Sequence, residues 1–260
     1  MTGHSDQFLG ETVLVTGSSR GIGRTTALEF GRRGAAVVVN YRSNEAAAAE
    51  VVDGVESAHP EATATAVRAD LSTTEGVQEL FDAVEEEFGH LDVFVHNAAV
   101  TAFKPLAEVT REEIDLTFDL SVHGFVLSTQ RAVELMDEGG RIVTVSGIDS
   151  AYAMPGHGLL GAAKAALEQL TRYVAVEHGE DGIRANAVNV GVSETDSSEF
   201  YARSSEEAAA FMDLLVGETP LSERTPPESI ATTVTMLCSE DAGDITGQVL
   251  YADSGLTARL

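Results

Sequence analysis

Three places along the chain hold residue types able to do chemistry. The first is Thr16–Gly23, TGSSRGIG. Gly17, Gly21 and Gly23 let the backbone close on a pyrophosphate, and Ser19, Arg20 and Ile22 complete the turn. The second is Asn40-Tyr41-Arg42, where a guanidinium is matched to a phosphate. The third is His157–Leu167, HGLLGAAKAAL. His157 carries an imidazole, a group able in general to give up a proton near neutrality. Lys164 stands seven residues further on, and with Lys104 it makes up the chain's two lysines. Two other histidines, His96 and His123, could join His157 at a metal, but their spacing matches no zinc pattern and no metal is expected. Cys238, in VTMLCSE, lies on an apolar helical pattern and reads as a buried structural thiol.

The elements that must position these groups alternate from end to end. TVLVT (12–16), AAVVVN (35–40), ATATAV (62–67), LDVFVH (91–96), RIVTVS (141–146), IRANAVNV (183–190) and GQVLYA (247–252) read as strands. Helical patterns cover 22–33, 43–58, 74–88, 110–136, 158–178 and 227–239. Continuous apolar strands separated by helices predict parallel pairing with both faces covered. The expected architecture is α/β, a doubly wound parallel sheet of about seven strands in one domain over 1–260, a Rossmann fold. One long irregular stretch, 191–225, holds a short helical piece near 205–216 and is expected to form a substrate lid.

Bulk composition removes several function classes. Against 42 acidic residues stand 16 basic ones, a formal charge of −26, which repels nucleic acid and anionic lipid. Such a surface suits either a high-salt host or an ordinary acidic protein rich in arginine. No apolar run approaches the ~20 residues of a membrane span, and no secretory signal is read at the N-terminus. A single cysteine excludes an intramolecular disulfide and fits a cytoplasmic setting.

The nucleotide follows from the second strand. Sites for NAD end that strand with a carboxylate that binds the ribose hydroxyls. Here it ends in Asn40, Tyr41 and Arg42, and Arg42 with Arg20 suits a 2′-phosphate, so NADP(H) is the expected cofactor.

These motifs resemble the short-chain dehydrogenase/reductases over essentially the whole length. TGSSRGIG matches that family's glycine loop, and RADLS puts Asp70, with Leu71 beside it, where the family holds the adenine. HNAA (96–99) resembles its NNAG, with Asn97 and Ala98 at the matching positions. NAVNVGVSETD resembles its segment after strand six, with Gly191 kept, Val190 replacing a proline, and Thr195 where the nicotinamide carboxamide binds. GQVLYADSG resembles its terminal motif, with Ser254 for a glycine. GAAKAALEQLTRYVAVE and FGHLDVFVHNAA are closest to the enoyl-acyl-carrier-protein reductases III. The resemblance implies a homo-oligomer, commonly a tetramer, with the two long helices at an interface.

The resemblance also implies a catalytic set that this chain breaks. Lys164 stands at the family's lysine, but Leu160 stands at its tyrosine, Gly147 at its serine and Ser121 at its helix asparagine. Ser121 keeps a hydroxyl able to bind water. Ser146 adjoins the serine position but faces the other side of the strand unless the strand end is bulged. Enoyl reductases place their tyrosine seven residues before the lysine, which here is His157; Tyr152 offers another hydroxyl. The alternative for His157 is an exposed ring in a flexible glycine turn. Three functions stay open. The first is an NADPH-dependent reductase of an activated C=C or C=O bond in an acyl or polyketide-like substrate, an acyl thioester or another small molecule. The others are a non-redox enzyme on the same scaffold and a silent NADP(H)-binding protein.

Overall fold

The computed structural model describes residues 6–137, 139–221 and 224–259. Among these, seven strands form one parallel sheet: β1 Thr12–Val15, β2 Ala36–Tyr41, β3 Thr63–Arg68, β4 Val93–His96, β5 Arg141–Gly147, β6 Arg184–Val190 and β7 Val249–Ala252. Their order is β3-β2-β1-β4-β5-β6-β7. The chain therefore winds outward in both directions from the β1/β4 junction, where such sheets open a crevice beyond their carboxyl ends.

The strand residues divide by their period of two. Val13 and Val15 enter one core with Val37, Val39, Val93, Val95 and Val143, whereas Leu14 enters the other with Val38, Phe94 and Ile142. The first core is closed by α1 (Gly21–Gly31), α2 (Glu45–Ala58) and α9 (Pro227–Cys238), and Cys238 is buried in it. The second is closed by α3 (Thr74–Phe88), α5 (Gly124–Leu135) and α6 (Gly158–Glu177).

Two expectations change. The helix expected over 110–136 is divided into α4 (Arg111–Phe118), a π-turn at Asp119–His123, and α5. A π-turn widens the helix by one residue, and it shifts Ser121 and Leu120 against the sheet, where both are buried. In the stretch 191–225 the helical piece expected near 205–216 is present as α8 (Glu206–Glu218), and a second helix not expected there, α7 (Asp196–Ala202), precedes it, while 222 and 223 lie outside the described residues. Thr195 starts α7 by accepting from Ser198 N, while the Ser198 hydroxyl accepts in turn from Thr195 N. The stretch is pinned at its base where Thr225 N donates to Val192 O at 2.8 Å. Its apolar face, Val192, Tyr201, Met212 and Leu215, packs with Ile148 and Leu256 into a third cluster.

Candidate active site

The glycine loop is held from both sides. Gly17 and Gly21 take φ of +61° and +57°, the left-handed region that glycine adopts without strain. A Cβ on Gly23 would come within 2.5 Å of Asn97 Nδ2 and 2.6 Å of Gly17 O, so α1 starts close against the loop. Asn97 Nδ2 donates to Thr16 O at 2.9 Å and Gly17 O at 3.2 Å. Asn40 Oδ1 accepts from Gly17 N at 3.1 Å, while its amide donates to Val67 O and Ala69 O. The side chains of Asn97 and Asn40, expected on the cofactor, are thus spent on fixing the loop that would hold it. Asp70 Oδ1 accepts from Ser72 N and Ser72 Oγ, which shapes the turn after β3.

Above this loop lies a cavity of about 460 Å³. Gly17, Ser19, Arg20, Gly21, Ile22, Asn40, Tyr41, Arg42, Asp70, Leu71, Asn97, Ala98, Lys164, Gly191 and Thr195 all face it, so every cofactor residue expected from the sequence except Gly23 is gathered there. Arg20 lies 3.6 Å from Asp196, but both are exposed, so the pair restrains little. No carboxylate ends β2, and α1 has no acidic residue in its first turn to oppose an anion.

The same cavity reaches His157, Leu160, Gly147 and Asp149. Lys164 is buried and donates from Nζ to Val145 O at 2.6 Å. Burial pushes its pKa down to about 8, although the Asp149 and Glu168 carboxylates act in the opposite direction. His157 is not the exposed turn residue considered above: its side chain is 12 % exposed. Nδ1 lies 3.0 Å from Asp149 Oδ2. The ring packs at 4.7 Å from the Phe103 ring and edge-on at 4.2 Å from Tyr201. Its Nε2 is buried and has no hydrogen-bond partner among the described residues.

The other hydroxyls near the site are either bonded to other groups or lie outside the cavity lining. Ser146 lines the cavity, but its hydroxyl donates to Glu168 Oε1 at 2.7 Å, and β5 pairs in regular register through Ser146↔Asn189 and Gly147↔Val190. Tyr152 OH donates to Thr257 O, and Tyr152 does not face the cavity. Tyr201 OH donates to Pro155 O at 2.8 Å. Ser121 is fully buried, outside the cavity lining, and its Oγ has no partner among the described residues.

His96 Nε2 faces Ser121 O at 3.1 Å. Burial, and secondarily the Lys164 charge, hold its pKa down to about 3, so it stays neutral. His123 pairs with Asp119 on the surface. The three histidines do not converge, and among the described residues no metal-binding group forms.

Sequence reasoning missed Asp149, Glu168, Phe103, Tyr201 and Met212. GIDS holds the one usable signal, a carboxylate two residues past the glycine at the serine position. The aromatic residues lie on loops and on α7, whose placement depends on tertiary packing.

The family model described as enoyl-(acyl carrier protein) reductase matches residues 17–257. The chain is 44% identical over 244 residues to 1-cyclohexenylcarbonyl-CoA reductase of Streptomyces collinus, covering 94% of this chain and 86% of that one. It is 36% identical over 254 residues to hydroxynaphthalene reductase-like protein Arp2 of Metarhizium robertsii, covering 95% and 94%. Among solved structures, the angucycline C-6 ketoreductase LanV with bound NADP superposes with a TM-score of 0.88 at 34% identity, covering 97% of each chain. A short chain dehydrogenase from Burkholderia cenocepacia in complex with NADP gives 0.88 at 30%, covering 96% and 99%. With the glycine loop, the sheet order and Lys164 all in place, these matches over nearly the full length show that the chain belongs to the short-chain dehydrogenase/reductase family.

Proposed function

We propose that this protein is an NADPH-dependent reductase of an activated double bond in an acyl or polyketide-like substrate, with His157 as the proton donor and α,β-unsaturated acyl thioesters as the favoured class. The observation that carries the reading is the meeting, in one cavity, of the glycine loop, Lys164 and an imidazole whose Nε2 has no hydrogen-bond partner among the described residues. The residues fit NADP(H): the loop leaves no room for a Cβ at Gly23, and Arg20 and Arg42 face the cavity where a 2′-phosphate would lie. The NADP-bound LanV and Burkholderia structures support the same cofactor.

Bound there, NADPH supplies a hydride. Lys164 would hold the ribose of the nicotinamide and keep a positive charge in the buried end of the cavity. As the β-carbon of the substrate accepts the hydride, the C=C electron pair moves toward the carbonyl and charge gathers on its oxygen. Protonated His157 gives that oxygen its Nε2 proton, and the enol tautomerises to the saturated thioester. His157 sits at the N-cap of α6, three residues outside Leu160. In a simple ketone the acid must reach the oxygen on the carbon attacked. In a conjugated thioester that oxygen lies two carbons away, which suits a donor displaced outward. The 44% identical relative, named a cyclohexenylcarbonyl-CoA reductase, supports this preference. Phe103, Met154, Val192, Tyr201 and Met212 give the outer cavity an apolar wall for the acyl group. We further propose that residues 191–225 act as its lid, that the protein is a homo-oligomer, and that it works in the cytoplasm. Among the described residues no helix is long and apolar enough to cross a membrane.

Nicotinamide absorbance tests the reading directly, with NADPH and a panel of enoyl-CoA esters, quinones and ketones. Enoyl-CoA reduction is expected, and His157→Gln should lower kcat by about 10²–10⁴-fold with NADPH affinity retained. NADPH binding without turnover of any substrate would make the protein a silent binder. Conversion of substrate with unchanged nicotinamide would make it a non-redox enzyme.

A further inference from the structure

We propose that Asp149 is the positioning residue of the proton donor, so that an Asp149–His157 dyad does here what a serine and a tyrosine do in the family pattern; this rests on the reading of His157 above. Asp149 Oδ2 lies 3.0 Å from His157 Nδ1, with the aspartate side chain 6 % exposed. A buried carboxylate can only accept, so Nδ1 must carry the proton. That leaves Nε2 as the position that exchanges a proton with a ligand, and Nε2 is the nitrogen without a hydrogen-bond partner among the described residues. The remaining freedom of the ring is taken up by Phe103 and Tyr201, and the loop carrying it is tied to α7 through Tyr201 OH and Pro155 O.

The chain packs closely around Asp149, at its carboxylate and at its backbone carbonyl. A Cβ on Gly147 would come within 2.7 Å of Asp149 Oδ1, and one on Gly161 within 2.4 Å of Asp149 O. Any side chain at 147, serine included, needs space that the Asp149 carboxylate fills. Gly147, the aspartate two residues on and the displaced histidine therefore form one interlocked replacement, and Leu160 is left as cavity wall. In a reaction cycle the imidazolium loses its Nε2 proton to the substrate oxygen, keeps Nδ1–H on Asp149, and regains a proton from water.

The test compares wild type, Asp149→Asn, Asp149→Glu and His157→Gln. Each is measured for NADPH binding by fluorescence, for thermal unfolding, and for kcat and KM with crotonyl-CoA and 1-cyclohexenylcarbonyl-CoA. The ring is read by NMR on protein labelled with ¹⁵N-histidine, with His157→Gln identifying its signals. The expected result is a Nδ1-protonated ring in the wild type and a changed tautomer in Asp149→Asn. Its kcat should fall by about 10²-fold or more at little-changed KM and NADPH affinity, with partial recovery in Asp149→Glu. If His157→Gln loses turnover while Asp149→Asn keeps it, the role of Asp149 is overturned and the functional reading stands. If His157→Gln keeps full turnover, the donor assignment fails and takes the dyad with it. If no substrate is turned over, the NMR alone decides. A neutral wild-type ring that carries its proton on Nε2 instead of Nδ1, or a neutral tautomer unmoved by Asp149→Asn, overturns the dyad.

Discussion

Ser146 donates its hydroxyl proton to Glu168 at 2.7 Å, joining the end of β5 to the middle of α6. Glu168 also accepts from Ser150 Oγ and Asn189 Nδ2 at 2.7 Å each, so three donors from three segments converge on one buried carboxylate. Ser146 is thereby part of the floor under Lys164. Ser146→Ala should cost about 1 kcal/mol, the net worth of one hydrogen bond, and change kcat less than about threefold. Glu168→Leu strands the Ser146 and Ser150 hydroxyls, while Asn189 Nδ2 keeps Gly147 O and Ser150 Oγ, and it should cost more than Ser146→Ala. Urea denaturation of both variants beside steady-state kinetics checks this, and a large kcat loss in Ser146→Ala with unchanged stability would return Ser146 to the catalytic set.

Rebuilding the family's usual residues should fail. Gly147→Ser drives a Cβ to within 2.7 Å of the Asp149 carboxylate, and the crowding should cost about 1–3 kcal/mol. Gly147→Ser with Leu160→Tyr should therefore melt lower than wild type and reduce enoyl-CoA esters more slowly. The same pair with Asp149→Ala should recover part of the lost stability. Thermal melts and initial rates of the three proteins decide it.

Arg42 faces the cavity at the end of a strand without a carboxylate. A charge-assisted bond from a guanidinium to a phosphate is worth about 1.5–3 kcal/mol. Arg42→Ala should accordingly raise the Kd for NADPH by about 10- to 100-fold and leave the Kd for NADH nearly unchanged. Fluorescence titration of both nucleotides measures the split, and equal affinities in the wild type would remove the 2′-phosphate from the site.

Burial lowers the Lys164 pKa to about 8 from an ordinary 10.5. Below pH 8 the folded protein carries the ammonium, and above it the amine. NADPH affinity of the free protein should fall as pH rises through 8, and Lys164→Met should abolish that step. Stability moves the other way. Between about pH 8 and 10.5 the unfolded chain binds the extra proton, so the cost of burying the charge is relieved as pH rises. The unfolding free energy of wild type relative to Lys164→Met should climb by up to about 3 kcal/mol across that window. Chemical denaturation at pH 7, 8, 9 and 10 gives the difference.

Much of this molecule is legible in its sequence because its signals are local. The valine runs of β1, β2 and β4 have both faces covered, so a short apolar stretch between turn residues was enough to place each strand. Gly17, Gly21 and Arg42 were found because their meaning is fixed by position next to a strand end. What could not be read is set by contacts across the fold. Asn40 and Asn97 line the cavity as expected, but their side chains also fix its base, Asn97 Nδ2 donating to Thr16 O and Asn40 Oδ1 accepting from Gly17 N, a choice that depends on which backbone groups lie within reach. Asp149 meets His157 only because a short turn brings them together across Gly161, and no periodicity marks that. The π-turn at Asp119–His123 has no signature in side-chain pattern, since it keeps the helical period on both sides. Helix α7 was hidden by the run of serines and acids in SETDSSEF, which reads as a loop until Thr195 caps it.

The helices α4 and α6 expose apolar side chains that a lone chain would leave in water. Val176 is 80 % exposed and Tyr173 56 %, with Ile114 and Leu116 partly exposed on α4. Each such side chain gains about 1.5–3 kcal/mol on full burial, so covering them in a symmetric contact between copies offsets the cost of association. With a formal charge of −26 per chain, the copies also repel one another at low salt. The oligomer should therefore tighten as salt is added, opposite to an assembly held by ion pairs. Light scattering during size exclusion should show a multimer at molar KCl that loosens at low salt. Val176→Glu with Tyr173→Glu should give monomer at every salt concentration, with NADPH binding intact because neither residue faces the cavity. A wild type that is monomeric at all salt concentrations would assign these apolar faces to something other than a second copy.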